Sequence, residues 1–143
     1  MVLVLYASSD QTDTDFCVRL VDQWPDAEQV PGFPLRGFNL TRGWLKASHA
    51  ATKDESLSKS HRPYYRHDEP QPIEPGKLYE YEIEVWSTSN RFLKGHRIRV
   101  ELASADSPPL DFGSHYYGFK VGNDTVYHEK DYASRIILPV IPM

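Results

Sequence analysis

Six histidines, 20 acidic side chains and a scatter of serines could serve hydrolytic or metal chemistry, so their spacing has to decide. A nucleophilic serine needs a seat that lifts its hydroxyl clear of the sheet, commonly a G-x-S-x-G elbow. No such elbow occurs, so a Ser-His-Asp triad has no recognisable seat here. His128-Glu129 opens like the zinc-protease pattern H-E-x-x-H, but Tyr132 stands where the second imidazole is required. His49, His61, His67, His96, His115 and His128 match no standard ligand spacing and point to surface or hydrogen-bonding roles. Asp10, Asp13 and Asp15 could gather around Ca²⁺. The EF-hand loop, however, needs a Gly at its sixth position and a Glu at its twelfth, and neither is present. Asx turns account for these aspartates better. There is no G-x-G-x-x-G and no P-loop. Asn39-Leu40-Thr41 and Asn123-Asp124-Thr125 are glycosylation sequons, which matter only in a secreted protein. The residues therefore assign no catalytic, cofactor-binding or metal-ligating side chain.

Aromatic side chains are the remaining source of chemistry. Trp24, Trp44, Trp86, Tyr64, Tyr65, Tyr116 and Tyr117 could offer stacking faces to a sugar. Filling a core or covering a domain interface is their plainer use. Tyr116-Tyr117, set in a Gly-rich stretch, is hardest to dismiss in that way. The lone Cys17, between Phe16 and Val18, excludes an internal disulfide and reads as a structural strand residue.

The elements that must position these groups are strands. The 143 residues fit one domain with a real core, and nine Tyr, six Phe and three Trp are broken up by eleven Pro and eight Gly. Aromatic and β-branched runs divided by turn formers predict an all-β sandwich or barrel with little helix. No apolar run reaches 18 residues, so a membrane span is not expected. A net charge of −4 with acids and bases intermixed argues against nucleic acid. The reading EVWSTSNRFLKGHRIRVEL (84–102) is the clearest signal. Tyr79, Tyr81, Ile83 and Val85 alternate with Glu80, Glu82 and Glu84, and downstream Ile98, Val100 and Leu102 alternate with Arg97, Arg99 and Glu101. A period of two puts apolar side chains on one face and charges on the other. The turn formers between them predict an antiparallel hairpin of 78–86 with 96–104. In it, Tyr81, Ile83 and Val85 would meet Ile98, Val100 and Leu102.

Other strands are expected at 2–8, at 16–24, briefly near Trp44 and Leu45, at 125–128 and at 135–141. Residues 25–35, 47–75 and 103–124 read as connections, the last two long enough to be functional or wrapped over a surface. Val2 to Leu5 is an unbroken apolar run, as in a strand buried on both faces. Its abrupt start suggests a fragment whose bare N-terminal region would self-associate or receive strands from another polypeptide.

Four segments in order carry a family resemblance. They are DTDFCVRLVDQWPD (13–26), GWLKASH (43–49), IEPGKLYEYEIEVWSTSNRFLKGHRIRVELASAD (73–106) and VYHEKDYASRIILPVIP (126–142). Together they resemble the C-terminal β domain of the cocaine esterase / X-Pro dipeptidyl-peptidase family of serine hydrolases. The resemblance implies a jelly-roll β-sandwich (galactose-binding-domain-like), spanning 1–143 as a single domain and incomplete at its N-terminal side. It implies an accessory domain that packs on an upstream α/β-hydrolase domain and shapes its substrate cleft, while the single cysteine favours a reducing, cytoplasmic compartment. The catalytic triad would lie in that upstream domain, with no cofactor or metal in this one. The chain departs from the family pattern at Ser87, where Pro is usual after the hairpin Trp, and by starting a few strands late. The alternative is a stand-alone carbohydrate- or small-ligand-binding module.

Overall fold

β1 (Val2–Ser9) runs through the middle of one sheet, with neighbours on both edges. The computed structural model describes residues 1–26, 36–105 and 121–141. Among these, β2 (Asp15–Gln23), β3 (Gly37–Lys46), a 3-10 helix (Ala47–Thr52), β4 (Tyr79–Glu84), β5 (Arg97–Ala103), β6 (Asp124–Val126) and β7 (Arg135–Ile137) follow in order. All pairings between strands are antiparallel. β4 lies along one edge of β1, while β6 and β7 share its other edge. The second sheet has the order β3-β2-β5. The two face each other as an all-β sandwich, as the composition predicts.

The period-two pattern sets the core. Leu3, Leu5, Ala7, Tyr81, Ile83 and Val85 from the first sheet meet Phe16, Val18 and Leu45 from the second. The Phe16 and Tyr81 rings touch across the gap at 4.9 Å and 53°. Each such aliphatic side chain removed from water contributes roughly 1.5–3 kcal/mol. Val2 and Val4, on the opposite face of β1, are buried as well, so the expectation of a strand covered on both faces holds.

The predicted hairpin does not form. β4 pairs with β1 (Leu3↔Ile83, Leu5↔Tyr81), and β5 pairs with β2 (Val18↔Leu102, Leu20↔Val100, Asp22↔Ile98). The connection between the two strands crosses from one sheet to the other. Alternation predicts which residues share a face, and it predicts them correctly on both strands. It carries no information on which strand lies alongside. The charges also find other partners: Glu82 pairs with Lys53 at 2.9 Å, Glu84 with Arg62 at 3.6 Å, and Glu101 with Arg19 and Arg99.

Three further expectations are revised. β3 spans ten residues rather than a short piece near Trp44, because it pairs along the whole of β2 with Leu40 left over as a bulge. Backbone pairing here overrides weak strand propensity. The last strand stops at Ile137, before Pro139. β1 is not a bare edge, since β4, β6 and β7 of the same chain occupy both sides of it, which removes the ground for self-association through 2–8.

The sandwich is closed at one side and open at the other. Where β3 meets the end of β4, Trp86 N–H donates to the Arg42 carbonyl at 3.0 Å, and the Thr41 hydroxyl donates to the Trp86 carbonyl at 2.9 Å. Gly43 is required there, because a Cβ would collide with the Glu84 carbonyl oxygen. On the far side β5 is an outer strand of its sheet, and Ile98 and Val100 keep 51% and 37% of their surface exposed.

Candidate functional site

The closed corner carries a developed surface feature. Residues 47–75 wrap it, and they are ordered rather than shapeless. The 3-10 helix leads into a bridge of Lys53 with Tyr65, and Lys59 pairs back to Arg62. Asp54 ties the wrap together by accepting from Ser56 N–H and Oγ, Leu57 N–H and Arg66 Nε. The Ser56 hydroxyl and the Arg66 guanidinium hold its carboxyl at about 2, well below the ordinary carboxylate range. The Tyr65 hydroxyl donates to the Glu82 carbonyl at 2.6 Å, and burial pushes that phenol upward.

This wrap, β3 and the end of β4 enclose a pocket of about 240 Å³. Trp44, Trp86, Tyr64 and Tyr65 supply aromatic walls, and Arg62, Glu84 and His67 supply polar groups. The two indoles meet edge to face at 5.2 Å and 75°. The Arg42 guanidinium lies over Trp44 at 5.9 Å. Beside the pocket, Nδ1 of His49 and Nδ1 of His67 lie 2.6 Å apart in one hydrogen bond. Burial and the neighbouring His49 lower the His67 imidazole below its usual value. Of the seven aromatics singled out from sequence, four therefore gather here. Trp24 sits half-buried just past β2, and Tyr116 and Tyr117 lie outside the described residues.

The acidic corner is a clasp. Asp10 accepts from Asn123 N–H and Nδ2, and those contacts keep its carboxyl low. Asp13 accepts from Ser48 N–H, and Asp13 and Asp15 both pair with Lys46. The Thr14 and Ser104 hydroxyls donate to Asp124. Links to distant residues thus give the three aspartates a structural role. Among the described residues no three of His, Cys, Asp and Glu form a metal-ligating group.

One polar pair was not anticipated. His96, taken from sequence as a surface or hydrogen-bonding residue, sits almost buried with its Nδ1 2.7 Å from Asp22 Oδ1. Asn90 donates to the other carboxylate oxygen at 3.3 Å, so an amide rather than a serine completes this group. Gly95, at φ +92°, makes the turn that delivers His96 to β2. The signal in the sequence was Asp22, an acid on the apolar face of an alternating strand. His61 is exposed, His128 makes an isolated bridge to Ala133, and His115 lies outside the described residues.

Against this geometry, the profile of the family described as "X-Pro dipeptidyl-peptidase C-terminal non-catalytic domain" matches residues 1–137. The chain belongs to that family. The cocaine esterase of Rhodococcus sp. (strain MB1 Bresler) is 30% identical over 146 aligned positions, covering 96% of this chain. A protein of Mycobacterium bovis named "Putative serine esterase" is 31% identical over 152 positions, covering 99% of this chain, and one of Mycobacterium tuberculosis matches equally. The chain spans about a fifth of these relatives, 22% and 21% of their lengths. Membership of this C-terminal domain family agrees with the resemblance carried by the four sequence segments. Among the described residues no helix is long and apolar enough to cross a membrane.

Proposed function

We propose that this family member is the accessory β-sandwich of an X-Pro dipeptidyl-peptidase- or acyl-esterase-like serine hydrolase. It packs on an α/β-hydrolase domain that carries the nucleophile, the acid and the base, and it works in the cytoplasm. The observation that carries this reading is the match of 1–137 to a non-catalytic domain family, together with a chain that spans a fifth of relatives named as esterases. The open side of the sandwich supports it. Ile98 and Val100 share the face of Val18 and Leu20 but stay exposed, as expected of an edge that packs on another domain. The finer part of the proposal is that this open edge walls part of the substrate cleft.

A chimera tests the packing. The matching fifth of the Rhodococcus cocaine esterase is replaced by this chain, and hydrolysis of a p-nitrophenyl ester is measured. Retained turnover, lost when Ile98 and Val100 are both changed to Lys, is the expected result. The isolated chain should hydrolyse neither p-nitrophenyl esters nor X-Pro anilides. Turnover by the isolated chain that disappears in Ser104→Ala would sink the proposal.

A further inference from the structure

The pocket at the closed corner is built differently from a packed interior. Trp86 is 59% exposed and Tyr64 42%, although both sit on backbone that is firmly held. The Trp86 main chain makes two hydrogen bonds to β3, and Tyr64 N–H donates to Ser58 Oγ at 3.0 Å. Among the described residues neither the Trp44 nor the Trp86 indole N–H, nor the Tyr64 hydroxyl, has a hydrogen-bond partner. One face of Trp44 is taken by Arg42, and Trp86, set edge to face against Trp44, still keeps more than half of its surface exposed. Arg62 Nε and Glu84 Oε1 stand 3.6 Å apart at the rim, too far for a good hydrogen bond. A donor and an acceptor thus lie side by side with spare capacity.

We propose that this pocket binds one ring of a neutral saccharide. A pyranose has an apolar C–H face that can lie on the Trp86 ring. Its vicinal hydroxyls each donate one hydrogen bond and accept others, so a pair of them accepts from Arg62 and donates to Glu84. The Tyr64 hydroxyl and the indole N–H groups supply further donors at the edge. The opposite charges of Arg62 and Glu84 offset one another, which disfavours a strongly charged ligand. The volume of about 240 Å³ lies below the usual range for drug-sized ligands and suits a single ring. This inference is independent of whether the chain packs on a hydrolase domain.

The test uses the 143-residue chain and a panel of neutral oligosaccharides: cello-, xylo-, malto-, manno- and galacto-hexaoses. Tryptophan fluorescence is titrated, and the Trp44 and Trp86 indole N–H resonances are followed by NMR. Saturable binding of at least one member, with both indole resonances shifted, is expected. Trp86→Ala should weaken it roughly tenfold or more, and Glu84→Gln severalfold. Thermal melting shows whether each variant is folded. If Trp86→Ala does not fold, Glu84→Gln and the indole shifts of the unaltered chain carry the decision. No binding by any member overturns the proposal, as does binding that folded Trp86→Ala and Glu84→Gln leave unchanged. Shifts of the same indole resonances by a proline-rich peptide, with none by the saccharides, would assign the pocket to peptide recognition instead.

Discussion

β4 and β5 carry the same sequence pattern and meet opposite fates. Each alternates apolar and charged residues over six or seven positions. On β4 the apolar side chains disappear: Tyr81 is 1% exposed, and Ile83 and the adjoining Val85 are 0%. On β5 Ile98 keeps 51% and Val100 37%. Both sets face the gap between the sheets. The difference is position. β4 lies beside the central β1 at the corner where the sheets close, and β5 lies at the side where they open. Periodicity decides orientation, and neighbours decide burial. β5 is held by other means, through β2 pairing and the His96–Asp22–Asn90 group.

Substitutions can break this contrast. Ile83→Ala should cost about 2–5 kcal/mol in urea unfolding, since it empties a fully enclosed site. A cost below that of Ile98→Ala would contradict the asymmetry. Gly43→Ala should cost about 1–3 kcal/mol, because the close approach of β3 to the β4 end leaves no room for a methyl group. The same change at Gly76, which has nothing within 4 Å, tests only its positive φ.

His96→Ala should cost about 1–3 kcal/mol by leaving the Asp22 carboxylate short of a partner. Amide exchange in β5 should quicken more than in β4, and uniform loosening of both would argue against a local latch. Ile98→Ala should stay within about 0.5 kcal/mol in the isolated chain, as at an exposed site.

The smallest effect concerns the wrap that covers the β4 side. The Asp54 carboxyl titrates at about 2 when folded, below its ordinary value of 3.8. The folded chain therefore binds fewer protons than the unfolded one in this window. The stability Asp54 contributes is complete above about pH 4 and is lost as pH falls through about 2. The urea midpoints of the unaltered chain and Asp54→Asn should converge over that range. His67 works in the same direction at higher pH. Its lowered value means stability falls as pH drops below the ordinary imidazole range, and NMR titration should find its midpoint below the usual imidazole value.

Side-chain type and short spacing determined much of this protein. They carried the all-β class, the burial of β1 on both faces, the inward and outward faces of β4 and β5, the turn formers between those two strands and the failure of every standard catalytic or metal motif. They also carried the family, through four segments in fixed order. These are local or compositional properties, and a period of two is written residue by residue. Tertiary structure alone decided the rest. It sent β4 and β5 to different sheets, lengthened β3 along β2, gave β1 neighbours on both edges and buried His96 against Asp22, 74 residues away. It likewise brought Tyr64 and Tyr65 to Trp44 and Trp86, four rings spread over more than forty positions that form one pocket only because 47–75 folds back over the closed corner. Strand pairing and such wraps are chosen by competition among distant partners for the same backbone donors and the same buried area. No local pattern of residues encodes which partner wins.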